Sequence, residues 1–266
     1  MVLPVVLALD EDQETPLASS AGVLRLSLED ERHVTARTVV LTTGATYRRL
    51  GIPALEDLTG AGVFYGGPVS EAPALTGKVA YLVGGGNSAG QATLHLARYA
   101  RRVTLVVRAA SHEAGMSHYL IQEIDSTPNL DVRACTEVIG GKSEGRLQQL
   151  VLREKGTGEH ETVDADALFV LIGADPHTDW LPADIARDPS GFLLTGEEVS
   201  LGPDWPMQRP PYSLETSMPG VFAAGDVRRS SVKRVASAVG EGSIAIRLVQ
   251  TLFADGRRDL VGASRV

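Results

Sequence analysis

Apolar positions along this chain change their spacing several times, and each change marks a change in the expected structure. Up to about residue 50 they alternate with polar positions in short pieces, at residues 5–9, 22–28 and 34–42. Alternation with a period of two predicts half-buried strands, and three in succession predict a small antiparallel meander. The pattern then turns. Residues 78–83 form a nearly unbroken apolar run, 88–100 carry helical spacing, and 103–107 form a second apolar run. That order predicts two buried parallel strands joined by a helix. Helical spacing returns over 116–124, and further strands are expected at 130–134, 147–153 and 167–172. Prolines recur from Pro176 to Pro219, so residues 174–219 read as a long connection with little regular structure. A short strand at 221–224 and an amphipathic helix at 232–253, interrupted by Gly240 and Gly242, complete the pattern.

The run Gly84, Gly85, Gly86, Asn87, Ser88, Ala89 sits between the first buried strand and its helix. Counted on Gly84, Gly86 and Ala89 it fits G-x-G-x-x-A, and its setting is the one a dinucleotide-binding loop requires. Glycines let the backbone approach a pyrophosphate, the free N–H groups of the helix start point at it, and the small last residue lets helix pack on strand. A glycine turn without a ligand is the plainer alternative. The second strand leads to Arg108, with no carboxylate where an NAD site would bind the ribose 2′-hydroxyl; a cation there suits a 2′-phosphate, so NADP(H) is expected. An ordinary surface arginine is the competing reading, and His112 is a solvated loop residue or an assistant. Residues 86–90 also match G-x-S-x-G, the nucleophile elbow of esterases, with Ser88 as nucleophile and Asp164 or Asp175 with His177 as partners. No HGGG-type oxyanion loop precedes it, which makes this the weaker option.

Composition narrows the classes further. With 25 Lys and Arg against 33 Asp and Glu, the net charge is -8, and no basic field is offered to nucleic acid or anionic lipid. No apolar run approaches the roughly 20 residues of a membrane span, and the N-terminus lacks the features of an export signal, so a cytoplasmic protein is expected. The remaining histidines show no paired metal-ligand spacing, and the acidic group at 10–12 reads as a solvated turn, so no metal is expected. The single cysteine, Cys135, excludes an internal disulfide and reads as a small buried residue.

Over residues 34–253 the chain resembles the thioredoxin reductase-like flavoproteins of the pyridine nucleotide-disulfide oxidoreductase group. The likeness is carried by Thr42, Thr43, Gly44 and Ala45 before Arg49 to Pro53, by Gly60 to Val63, by the glycine loop, by Ile172 and Gly173 ahead of Pro176, and by Gly220 to Asp226 with the helix start from Lys233. The resemblance implies an α/β fold in which a Rossmann-like NADP-binding domain, residues 57–177, is inserted in a truncated FAD-binding-type domain, residues 1–56 and 178–266. It places NADP(H) contacts on Gly84 to Ala89, in line with Arg108 as the expected 2′-phosphate contact, and adds Thr43, Gly44, Ile172 and Gly173 to the cofactor-binding residues. It places flavin contacts on Gly225, Asp226, Lys233, Arg234 and Val235, where the usual Arg-Gln is replaced by Lys233 and Arg234.

Two departures qualify the resemblance. Gly66 and Val69 stand where that group carries its C-x-x-C, so dithiol exchange, which needs two thiols, is excluded. The group's first glycine loop, part of a unit of about 30 residues, has no counterpart in the 41 residues before Thr42. The expected protein is therefore an NADP(H)-binding oxidoreductase that passes hydride, through FAD if it is retained, to an acceptor other than a disulfide. A non-catalytic truncated homologue or fragment is the alternative. With its flavin unit incomplete, the apolar face of the last helix would be exposed, which favours a homodimer or a partner segment.

Overall fold

A computed structural model describes residues 6–12, 23–67, 70–111, 115–199, 205 and 207–263. In chain order the elements are β1 (Val6–Asp12), β2 (Val23–Leu28), β3 (His33–Ala36), β4 (Val39–Leu41), β5 (Ala45–Tyr47), α1 (Pro53–Glu56), β6 (Val63–Tyr65), β7 (Val79–Val83), α2 (Asn87–Ala97), β8 (Arg102–Val106), α3 (His118–Asp125), β9 (Leu130–Arg133), β10 (Thr136–Ser143), β11 (Leu147–Glu154), β12 (His160–Asp164), β13 (Ala167–Val170), β14 (Ala174–Pro176), β15 (Val221–Ala223) and α4 (Val235–Ala263). They divide into two compact units, Tyr47–Ala174 and the two flanking segments Met1–Thr46 with Asp175–Val266. The expected boundaries lay after residues 56 and 177. The first falls earlier because Leu55, with Leu50 and Ile52 against it, packs in a core of the inserted unit.

The inserted unit is built on a five-stranded sheet, β6-β13-β7-β8-β9, parallel throughout. Its strands are short apolar runs because both faces are covered. On one face α2 and α3 bury Leu96, Leu120 and Ile124 against Leu82, Leu105 and Phe169. On the other the antiparallel meander β10-β11-β12 buries Val138, Leu150 and Leu152 against Tyr81, Val106 and Leu168. The chain runs from β7 to β8 on one side while β13 returns on the other. Strand order thus reverses at β7, where ligands of open α/β sheets bind at the carboxyl ends.

The flanking segments form the second unit. Here β1-β2-β3 is the expected meander, but the expected strand at 34–42 is two strands. The first, β3, pairs antiparallel with β2, and β4 pairs in parallel with β15, which lies far along the chain. The acidic residues at 10–12 are not a turn; they belong to β1, with Asp10 opposite Arg25. The long connection is held by Glu215, whose fully buried carboxylate accepts from Arg209 Nη1 and Nη2 at 2.7 and 3.0 Å and from the N–H groups of Tyr212 and Gly220 at 2.9 Å each. Helix α4 is continuous through Gly240 and Gly242. Burial of Ala245 and Leu252 against Leu214 and Phe222 outweighs the roughly 1 kcal/mol that each helical glycine costs. Cys135 is half-buried rather than buried, at φ 50° between β9 and β10.

Candidate functional site

Strand β7 ends at Val83, and Gly84 extends its ladder by donating its N–H to Val106 O at 3.2 Å. A Cβ on Gly84 would lie 2.6 Å from Leu171 O and 2.7 Å from Ala89 Cβ, so a side chain there would force the strand ends and the helix apart. Gly86 is the N-cap of α2 and brings no side-chain cap. Its carbonyl accepts from Gly90 N at 3.1 Å. Among the described residues no acceptor meets the N–H groups of Asn87, Ser88 and Ala89. An uncapped helix start beside a backbone stripped of side chains is suited to a pyrophosphate.

The neighbouring strand ends bring in the other expected residues. Leu171 N donates to Val83 O at 2.8 Å, which lays Ile172 and Gly173 beside the glycine loop at the point of strand reversal. Gly173 is covered by Arg48, whose Nη1 lies 3.6 Å from the position of an added Cβ. Arg108 follows the end of β8 and is exposed; its connection is fixed by Val107 N to Arg133 O and Cys135 N to Ala109 O, both 2.9 Å. Its charge, with Arg153 and Lys155, helps to hold the Glu137 carboxyl below the ordinary range, the Arg153 hydrogen bond being the largest cause. His112 and Val69 lie outside the described residues.

The side chain of Asn87 turns to the connection before α3. Its Oδ1 accepts from Ser117 N at 2.7 Å and from Ser117 Oγ at 3.0 Å, so its side chain holds the connection that enters α3. Sequence reasoning passed over Ser117, because the bond joins positions 30 residues apart with no shared motif. The esterase geometry is not formed either. Ser88 is exposed with no base hydrogen-bonded to it among the described residues. Of its nominated partners, Asp164 accepts from Gln149 Nε2, and His177 has both ring nitrogens engaged, Nδ1 donating to Thr43 O at 2.8 Å and Nε2 facing Thr46 Oγ1 at 2.7 Å.

In the other unit the turns after β4 and β15 lie side by side, since Ala224 N donates to Leu41 O at 2.9 Å. Thr43 and Gly44 thus neighbour Gly225 and Asp226 at the carboxyl end of a parallel pair. The start of α4 is there too, with Ala238 Cβ 3.3 Å from the position of a Cβ on Gly225. Lys233 Nζ donates to Asp226 O at 3.1 Å and stands 4.2 Å over the Phe192 ring; burial holds its pKa below the usual lysine value. The fit to a flavin is partial. Asp226 offers a carboxylate, but Gly225 N already donates to Glu241 Oε2 at 2.6 Å, and Glu241 in turn pairs with Arg228 at 2.7 Å. Val235 is 83% exposed.

The profile of the pyridine nucleotide-disulphide oxidoreductases matches residues 6–242. The chain belongs to this family. Among curated relatives, it is 32% identical over 231 residues to a subunit of the alkyl hydroperoxide reductase of Pseudomonas putida, covering 86% of this chain and 41% of that protein. It is 33% identical over 218 residues to NADPH-dependent thioredoxin reductase 3 of Arabidopsis thaliana, covering 81% of this chain and 38% of the relative. The chain therefore spans about two fifths of the length of these relatives. Among solved structures, thioredoxin reductase from Streptococcus pyogenes superposes with a TM-score of 0.74 at 25% identity, over 95% of this chain and 74% of that one. The mixed α/β architecture of this oxidoreductase family is thereby shared, with an inserted Rossmann-type unit. Among the described residues no helix is long and apolar enough to cross a membrane, and no group of three or more His, Cys, Asp or Glu is placed to hold a metal ion.

Proposed function

We propose that this chain is an NADP(H)-binding oxidoreductase whose acceptor is not a protein disulfide. The observation that carries the reading is the uncapped start of α2 on the glycine loop, where Gly84 lets helix and strand end meet more closely than any side chain would allow. In the proposed complex the N–H groups of Asn87, Ser88 and Ala89 bind the pyrophosphate, and Arg108 binds the 2′-phosphate. Leu171 to Gly173 flank the nicotinamide end. A reduced nicotinamide supplies a hydride, and a flavin in the other unit, as the family implies, supplies a two-electron acceptor. There Asp226 would hold the ribityl side and Lys233 and Arg234 the ring side, while Glu241 keeps the Gly225 turn on α4. With one cysteine in 266 residues, the chain brings no thiol pair to relay electrons.

One observation favours a second reading, in which the chain binds nucleotide without turnover: Glu241 occupies the Gly225 N–H that a flavin phosphate would otherwise meet. A visible absorption spectrum with an NADPH titration separates the two. A yellow protein bleached by NADPH supports the oxidoreductase, and a colourless one that binds NADPH supports the second reading. Failure to bind NADPH at all overturns both. Arg108→Ala is expected to weaken NADPH by about tenfold and leave NADH unchanged, as loss of one charge-assisted phosphate contact should.

A further inference from the structure

The end of β8 ties the glycine loop to a group of charges on the meander. Gly84 N donates to Val106 O at 3.2 Å, and Val107 Cγ1 lies 3.6 Å from the position of a Cβ on Gly85. One residue on, Arg108 sits between two backbone bonds to the start of β10, Thr136 N to Val107 O at 3.1 Å and Cys135 N to Ala109 O at 2.9 Å. The next residue of β10, Glu137, stands opposite Arg153 of β11 and accepts from its Nη2 at 2.6 Å. Lys155, whose N–H donates to Cys135 O at 2.7 Å, brings its Nζ to 4.0 Å from the other oxygen of that carboxylate.

Three cations thus act on one carboxylate. The Glu137 carboxyl is held below its ordinary range, first by the Arg153 hydrogen bond and then by the charges of Arg153, Lys155 and Arg108. The side chains of Arg153 and Lys155 are still 46% and 45% exposed, and Glu137 accepts a single hydrogen bond from the two, so most of their donors stay open to an anion. Arg108 is exposed, and among the described residues no carboxylate lies at ion-pair distance from it. The excess of two positive charges matches a phosphate monoester, which carries about −1.5 to −2 at pH 7.

We infer that Arg153 and Lys155 are specificity-determining residues for the ribose 2′-phosphate, joining Arg108 around it, and that Glu137 occupies these two cations when no phosphate is bound. This rests on the dinucleotide reading of the glycine loop. The guanidinium of Arg153 offers a fork that fits phosphate oxygens, and Lys155 adds a point charge beside it.

Two ligands that differ only in the group concerned test this, adenosine 2′,5′-bisphosphate and adenosine 5′-monophosphate, and the readout is the ratio of their affinities. The unaltered protein should prefer the bisphosphate. Arg153→Ala is expected to cut the ratio by about tenfold and Lys155→Ala by about threefold, as loss of exposed charge-assisted contacts allows. Glu137→Gln, which removes the competing charge and keeps the shape of the side chain, should raise the ratio by about threefold. Arg153→Lys keeps the charge and should keep most of the ratio; with Lys155→Ala it carries the comparison should Arg153→Ala fail to fold.

A ratio unchanged in the Arg153→Ala, Lys155→Ala double variant but lost in Arg108→Ala would show that Arg108 holds the phosphate alone, overturning the inference while the dinucleotide reading stands. An equal loss of both ligands in the double variant, or a lowered ratio in Glu137→Gln, would overturn it as well. If the unaltered protein binds neither ligand, the dinucleotide reading itself fails. If it binds the two equally, the NADP(H) preference fails and this inference with it.

Discussion

The ring of Tyr47 lies across Gly66. A Cβ built on that glycine would sit 3.3 Å from Tyr47 Cε2 and 3.4 Å from Cζ, and the backbone there has φ 103°, outside the range that side-chain-bearing residues adopt readily. The resemblance to thioredoxin reductases puts a cysteine at this position. Gly66→Cys and Gly66→Ala are therefore expected to destabilise the inserted unit by about 1–3 kcal/mol, read as a lower urea midpoint. Adding Tyr47→Ala should recover the packing part and leave the backbone part. A Gly66→Cys variant as stable as the parent would refute this account of the missing thiol.

Glu215 gives the largest single stability prediction. Its carboxylate is fully buried and meets Arg209 through both oxygens, together with two backbone N–H groups. Removing it in Glu215→Ala leaves a partly buried guanidinium and two donors without their acceptor, at a cost of about 3–5 kcal/mol. Chemical denaturation of the variant measures it, and a loss under about 1 kcal/mol would contradict the arrangement.

A pH prediction comes from Glu56 and Tyr65. Tyr65 Oη donates to Glu56 Oε1 at 2.6 Å, while Arg49 Nη1 donates to Oε2 at 2.8 Å. Burial, then the Glu56 hydrogen bond, pushes the Tyr65 phenol up to about 12. Burial also works to raise the Glu56 carboxyl, but the hydrogen bonds from Tyr65, Arg49 and Gly51 N outweigh it and hold it below the ordinary carboxylate range. The raised phenol adds stability that is complete below the usual tyrosine range and is lost as pH climbs through about 12. The lowered carboxyl adds stability that is present above the usual carboxylate range and is lost as pH falls through its depressed value. Phenolate absorbance of the protein minus that of Tyr65→Phe should show a transition near 12; one in the ordinary tyrosine range would disprove it.

Helix α4 carries an exposed apolar stripe, with Val235 at 83%, Val239 at 65% and Ile246 at 62% exposure. Positions four and seven apart share a helix face, so these side chains form one band. The protein should bind an apolar fluorescent dye. Replacing Val235, Val239 and Ile246 by serine should remove most of that signal without lowering the thermal midpoint, since none of the three is buried. Unchanged dye fluorescence would place the exposed apolar surface elsewhere.

The glycine loop and its flanking elements were legible because two independent signals agree there: unbroken apolar runs that only buried parallel strands need, and glycines where a helix must begin. β6, β10 and β12 were not. β6 is three residues long, β10 contains Gly140 and Gly141, and β12 is mostly polar, so none has a hydrophobic rhythm that rises above a loop. The break between β3 and β4 was hidden for a different reason. The alternation runs on without interruption, and only the distant partner β15 decides that the second half joins another sheet. The same distance dependence hid Tyr47, Ser117 and Glu241. Each is an ordinary polar residue in the sequence, and each acquires its role from a glycine or asparagine elsewhere in the fold.

The inserted unit starts and stops at one spot: Arg48 N donates to Gly173 O at 3.0 Å, close to where the chain enters at Tyr47 and leaves at Ala174. An insert whose two ends meet leaves only a short gap for the remaining chain to close, and such inserts are gained and lost with little penalty to their host. The Tyr47–Ala174 unit is therefore expected to fold when produced by itself, with a cooperative unfolding transition of its own.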